Sequence, residues 1–290
     1  MGGISFQLAH AETPISYDLV ETPALVVPTP TLELGEFRTT SVRSEFERQA
    51  TTCTTLFFTQ PHGAPPTVVL GLNQLDLSPI VRLRAQVRSA ERGGAHIGLS
   101  AWSTTTHFSS GCAWLAEDFP FGRKIPQKQV YVAFARPYAT PPCVVAWLDT
   151  VDCCMWANAR AAVWAGDVTE RGFTLYFKTW LGSRLWQVGA SWLAYPADRT
   201  DIRSGTFSTE QVCPTLQRQH EHRGRVEWEP TERPPRVFTA LSMLDFEKWK
   251  NLRVRLTTSD VTTTGMAWNI DSWHDTVMHK AAAVYITFDI

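Results

Sequence analysis

From Val81 to Arg88 apolar and polar residues alternate without a break: Val81, Leu83, Ala85 and Val87 share one phase, and Arg82, Arg84, Gln86 and Arg88 share the other. Successive side chains on a strand point to opposite faces, so this period predicts a half-buried β-strand. The same pattern returns at Leu252, Val254 and Leu256 against Arg253 and Arg255, and at Phe173, Leu175 and Phe177 against Thr174, Tyr176 and Lys178. No segment carries a helical period that would supply a helix to cover a sheet. The sequence therefore predicts an all-β protein of antiparallel sandwiches.

The strand patterns recur in three rows. Pro65-Pro66, Pro141-Pro142 and Pro234-Pro235 each open a stretch Pro-Pro-x-Val-x-x-x-Leu-x-x-(Leu/Val)-Asp that ends at Asp76, Asp152 and Asp245. Eight residues past each aspartate stands Arg84, Arg160 or Arg253. Gly94, Gly172 and Gly265 each precede a tryptophan by eight positions, at Trp102, Trp180 and Trp273. Each row closes on an aromatic and an apolar residue: Trp114-Leu115, Trp192-Leu193 and Tyr285-Ile286. Self-similarity at a fixed period marks repeated structural units. The chain divides into an N-terminal arm over 1–34 and repeats over 35–118, 119–197 and 198–290. The second repeat has the shortest lead-in, so its first strand is short or is supplied by the arm.

Phase separates core from surface. Leu83 and Ala85 define the inward side that turns Arg84 out, and Ala159, Ala161 and Val163 do the same for Arg160. Trp102, Trp180 and Trp273 fall on the polar side of their strands. An outward indole held three times either packs against a neighbouring copy or offers its ring to a ligand with one apolar face and several hydroxyls. A guanidinium beside it brings planar donors suited to sugar oxygens, and carboxylates bring acceptors. His274 and Asp275 extend that donor and acceptor set next to Trp273. The closing aromatics Trp114, Trp192 and Tyr285 sit in apolar strands and read as core. Asp76, Asp152 and Asp245 read as turn formers, and His220-Glu221-His222 as a solvated loop with no third metal ligand at a recognisable spacing.

Composition narrows the classes. With 27 basic against 28 acidic side chains in 290 residues, no electrostatic footprint for nucleic acid or an anionic membrane is present. No apolar stretch approaches the roughly 20 residues of a membrane-spanning helix. The opening Met1-Gly2-Gly3-Ile4-Ser5-Phe6 lacks the basic and apolar regions of a secretory signal, and no Asn-x-Ser/Thr sequon occurs. Six cysteines fall at different places in the three rows, which reads as reduced core thiols in a cytoplasmic or non-classically secreted protein. There is no Gly-x-Ser-x-Gly elbow, no His-Glu-x-x-His, no phosphate loop and no repeated carboxylate pair, so the reading is a non-enzyme that needs no metal or cofactor.

Taken together, Phe-x-x-Pro-(His/Tyr)-x-x-Pro-Pro at Phe58 to Pro66 and Phe134 to Pro142, the aspartate and arginine steps, and Gly-x7-Trp-x11-(Trp/Tyr) resemble the H-type lectin domain of snail agglutinins and the carboxy-terminal domain of discoidins. The resemblance implies a six-stranded antiparallel β-sandwich that forms trimers. It also implies binding of N-acetylgalactosamine or galactose at the border between neighbouring domains. On this chain the family's sugar-contacting arginine falls on Arg84, Arg160 and Arg253, and its stacking tryptophan on Trp102, Trp180 and Trp273. The polar residue that follows the tryptophan in the family survives as His274, with Ser103 and Leu181 in the other rows. The family's acidic contact has candidates in Glu45, Glu47, Asp118 and Glu221, and its cysteine pair has no counterpart. Three such domains on one chain imply an intrachain pseudo-trimer with glycan partners at several borders. A structural or protein-interaction module and a lectin-guided defence toxin are the alternative readings.

Overall fold

The computed structural model describes residues 32–117, 121–124, 129–213 and 219–289; most of the N-terminal arm and Asp118 lie outside these. Among the described residues eighteen strands follow in order. The first repeat contributes β1 (Glu33–Arg38), β2 (Thr51–Phe57), β3 (Thr67–Leu77), β4 (Val81–Glu91), β5 (Gly94–Ser100) and β6 (His107–Glu117). The second contributes β7 (Phe121–Lys124), β8 (Gln129–Ala133), β9 (Cys143–Cys153), β10 (Ala159–Thr169), β11 (Gly172–Lys178) and β12 (Leu185–Tyr195). The third contributes β13 (Ile202–Ser208), β14 (Arg223–Glu227), β15 (Arg236–Phe246), β16 (Leu252–Thr262), β17 (Gly265–Asp271) and β18 (Met278–Phe288). The second repeat has its own first strand, β7, and it is short. In the first repeat β1 already includes Glu33 and Leu34.

Each repeat is a sandwich of two three-stranded layers, and every layer continues edge to edge into a layer of another repeat. The three resulting six-stranded sheets run β1-β6-β3-β16-β17-β14, β2-β5-β4-β9-β12-β7 and β13-β18-β15-β10-β11-β8. The joining pairs are β3 with β16, β4 with β9 and β10 with β15, all antiparallel. The first repeat joins the second, the second joins the third, and the third returns to the first. Sharing of this kind removes the inner edges at which an open sheet would recruit other chains.

Strands β3, β9 and β15 pack against one another along the centre of this ring. Their outward residues form a second apolar core, separate from the sandwich interiors, in which Val69, Val145, Phe238, Trp147 and Ala240 are buried. One layer holds Gly71, Trp147 and Ala240. A Cβ on Gly71 would lie 2.4 Å from the Ala240 Cβ and 2.7 Å from the Trp147 ring, so a single indole fills space shared by three strands. Its Nε1 donates to the Leu70 carbonyl at 3.0 Å.

The repeated glycines have a steric cause. A Cβ on Gly94, Gly172 or Gly265 would come within 2.2, 2.3 or 2.4 Å of the carbonyl oxygen of Leu56, Val132 or Val226 on the adjoining strand. Likewise Gly35 and Gly205 lie under the rings of Trp114 and Tyr285.

The structure corrects two sequence readings. Asp76, Asp152 and Asp245 form no turns; they are buried members of β3, β9 and β15. Register shifts between Leu72 and Gln74 and between Leu241 and Met243 reverse the side-chain phase. Leu70 and Leu72 face the sandwich core before the shift, Leu75 and Leu77 after it, and Asp76 turns away. The His220 to His222 run is not a solvated loop throughout. His222 is buried with its Nδ1 against the Ile270 carbonyl at 3.1 Å, and the His220 carbonyl accepts from the Ser272 N–H at 2.8 Å. All six cysteines are free; Cys112, Cys153 and Cys213 are buried, and burial pushes the Cys112 thiol up to about 12.

Candidate functional site

At each seam the second residue of a long strand is an arginine that reaches the aspartate of the neighbouring repeat. Arg253 Nε donates to Asp76 at 3.1 Å, Arg160 Nε to Asp245 at 2.9 Å and Arg82 Nε to Asp152 at 3.2 Å. Spacing from the aspartate equates Arg84 with Arg160 and Arg253, but strand register assigns that position to Arg82. The cause is loop length: three residues separate β3 from β4, against five between β9 and β10 and five between β15 and β16.

Arg84 instead occupies the fourth position of its strand, the place of Arg255 in β16 and Ala162 in β10. Here it lies over the tryptophan. The Arg84 guanidinium carbon is 5.4 Å from the Trp102 ring centre and that of Arg255 is 5.5 Å from Trp273. Each is steadied by a glutamine of the neighbouring repeat: Arg84 donates to Gln187 at 2.9 Å and Arg255 to Gln74 at 3.1 Å. Each of these two borders therefore has two arginines, one tied to the seam carboxylate and one stacked on the indole.

Trp102, Trp180 and Trp273 are half-buried and lie just past the ends of β5, β11 and β17, outside the sandwich cores. Each starts a tight turn closed by the N–H of Thr105, Ser183 or Thr276 on the tryptophan carbonyl. The next residue in each turn is left-handed: Ser103 at φ 56°, Leu181 at 48° and His274 at 57°. Side chains pay a steric cost there, so a fixed chain path, and not local preference, sets these residues.

The border between the third and first repeats carries the fullest set of polar groups. Arg253 Nη1 reaches Asp275 at 2.5 Å, which ties the seam ion pair to the Trp273 turn. Burial raises the Asp76 carboxyl above its usual range despite Arg253. Slight burial of Asp275 acts in the same sense, but the Arg253 bond and charge outweigh it and hold that carboxyl low. Glu45 lies close enough to act electrostatically on both Asp76 and Arg255. Among the other acidic candidates, Glu221 is exposed and bound by Arg223 at 2.8 Å, and Glu47 accepts from Arg43 through its backbone carbonyl. A depression of about 180 Å³ opens between His220 and the His274 to Thr276 turn.

Buried Arg43 pins the loop that carries Glu45. It donates to the Ser44 and Glu47 carbonyls within the loop, and to Thr52, Phe108 and His107 outside it. His107 holds the loop's far end, with Nδ1–H donating to the Gln49 carbonyl at 3.1 Å and Nε2 accepting from Ser110 at 2.8 Å. Burial first, and the Arg43 charge second, push the His107 imidazole down to about 4. The unfolded chain thus takes up this proton nearer pH 6.5, and stability that is complete above 6.5 is lost as pH falls toward 4. The loss is on the order of 3 kcal/mol. Denaturant midpoints measured at pH 7.5 and pH 4.5 check this, and the difference is expected to shrink in His107→Gln.

Sequence reasoning missed Arg82, Arg255, Gln74 and Gln187. The polar phase of Arg82 and Arg255 was visible, but the convergence of all four depends on which repeats share a sheet. Among the described residues no group of three or more His, Cys, Asp or Glu side chains is placed to hold a metal ion. No helix among them is long and apolar enough to cross a membrane.

The sequence matches the profile of the H-type lectin domain three times, at residues 54–116, 129–195 and 230–288, which together make up more than half the chain. The chain belongs to the H-type lectin family. The three matches fall on the three sandwiches, and the family is one of non-catalytic carbohydrate-binding domains. A curated protein of Fuscovulum blasticum, described as ATP synthase subunits region ORF 7, is 36% identical over 70 residues. That stretch is 24% of this chain and 61% of the relative, so the match spans less than two thirds of the relative's length.

Proposed function

We propose that this H-type lectin is a non-catalytic, multivalent binder of glycans ending in N-acetylgalactosamine or galactose, with its sites at the borders between sandwiches. The supporting observation is the third-to-first border, where Arg253, Arg255, Trp273, His274 and Asp275 of one repeat face Gln74 and Asp76 of another. A pyranose laid against Trp273 would shed water from the indole on its apolar face. Its ring hydroxyls would accept from the guanidinium groups and donate to Asp275 or Glu45. Arg82 and Arg84 with Trp102, and Arg160 with Trp180, supply the groups at the other borders.

In this reading the closed ring acts as an intrachain pseudo-trimer. One site of millimolar affinity is worth only about 4 kcal/mol, and several sites engaging one glycan-bearing surface raise avidity by about 10² to 10⁴. The free thiols support residence in a reducing compartment, or export that bypasses an oxidising one.

Trp273→Ala is expected to weaken galactose-type ligands at this border by about tenfold or more while leaving the far-ultraviolet circular dichroism unchanged. Titration calorimetry with N-acetylgalactosamine, supported by a glycan array, measures it. Unchanged affinity would remove Trp273 from the sugar site in favour of a structural role for that indole, and no measurable binding by the unaltered protein would remove the carbohydrate assignment.

A further inference from the structure

The border between the second and third repeats keeps the seam ion pair of Arg160 and Asp245, the Trp180 indole and the Ser183 hydroxyl that accepts from Arg160 at 3.3 Å, yet four other positions have changed character. Register places Ala162 opposite Met243, where the third-to-first border has Arg255 opposite Gln74. Leu181 stands where the other turn has His274, and Gly182 where it has Asp275. A polar floor has become an apolar one at four equivalent positions. Trp180 has no arginine at the strand position from which Arg255 covers Trp273.

Two exposed indoles stand at the same seam. Trp156, in the loop between β9 and β10, is 69% exposed, and Trp249, in the loop between β15 and β16, is 45% exposed. Their rings meet edge to face at 4.8 Å across the seam, and the Asn158 side chain accepts from the Lys248 N–H beside them at 3.2 Å. Leu181 is 81% exposed, and its carbonyl accepts from Arg160 Nη1 at 3.4 Å, so it adjoins the ion pair. Trp249 is left-handed at φ 63°, with no counterpart in the equivalent loops of the other repeats. Bulky residues adopt that region at a steric cost and persist where the surroundings or a ligand require it. Sealing the seam does not require Leu181 or Trp156 to be so exposed.

We propose that the second-to-third border selects sugars that carry an apolar substituent on the ring or as aglycone, while the other two borders take the unadorned terminal sugar. The inference rests on the lectin reading above. The retained guanidinium of Arg160 bonds sugar hydroxyls, and the substituent is covered by Trp156, Trp249 and Leu181. The protein is then heterovalent, with two borders of one preference and one of another.

Titration calorimetry of the full chain with methyl, hexyl and phenyl β-galactosides tests this. At one site per chain the phenyl and hexyl glycosides are expected to bind about tenfold tighter than the methyl glycoside. The double variant Trp156→Ala with Leu181→Ser is expected to erase that advantage and leave methyl glycoside binding at the other borders unchanged. Equal affinities for all three glycosides, or an advantage that survives in the double variant, would overturn the inference while the lectin reading stands. Binding of none of them overturns both. A dimer in light scattering that the double variant dissolves would also overturn it, by showing that a second copy covers the patch.

Discussion

Truncating Trp147 to alanine is expected to lower the unfolding free energy by about 3 to 5 kcal/mol, the range for removing a fully buried aromatic. Trp147 is 0% exposed and packs against Phe238 with the rings tilted and their centres 4.8 Å apart. Its neighbours across the ring centre are Gly71 and Ala240, which are too small to fill the cavity left behind. The loss also removes the bond to the Leu70 carbonyl. Urea denaturation of the full chain measures the effect, and a change below about 1 kcal/mol would show that the centre of the ring contributes little to cohesion. Gly71→Val is expected to harm folding for the opposite reason, because the added methyl groups have no space among the same three strands.

Replacing Asp76 by alanine is expected to cost about 1 to 3 kcal/mol, and to weaken sugar at the third-to-first border as well. The Asp76 and Arg253 side chains are 10% and 12% exposed, so removing the carboxylate leaves the Arg253 Nε–H without its acceptor while Nη1 keeps Asp275. Asp76→Asn keeps an oxygen acceptor and is expected to lose less. A double-mutant cycle with Arg253→Ala isolates the coupling. The same cycle at Arg160 with Asp245 and at Arg82 with Asp152 should give similar values if the three seams are energetically equivalent. A coupling near zero at all three would leave the joined sheets to be held by backbone bonding alone.

The β-class, the three-row organisation and most of the sandwich interior were legible because they follow from local alternation. Leu83, Ala85, Phe173, Leu175 and Val254 are buried as their phase requires. What was not legible depends on partners far away in the chain. Nothing near Asp76 reveals that its strand bonds to β16, 177 positions away at Arg253. The step of three from Leu72 to Leu75 was the local trace of the register shift that turns Asp76 outward. The matching arginine was placed two strand positions too far along, at Arg84 in place of Arg82, because a count from the aspartate treats a connection of three residues as one of five. The tryptophan turns were found by spacing, while the apolar character of the second-to-third border emerged only when Ala162, Met243, Leu181 and Trp249 were brought together by the fold.

The glycine, tryptophan and alanine at the hub of the molecule also bear on its ancestry. Three identical units would have to place three identical side chains there, so three indoles would collide and three glycines would leave a void. Only a chain that has let its copies diverge can use one large residue opposite two small ones. Separately expressed copies of the middle unit, with a Trp147 ring from each and no small residue opposite, are therefore expected not to assemble with themselves in this geometry.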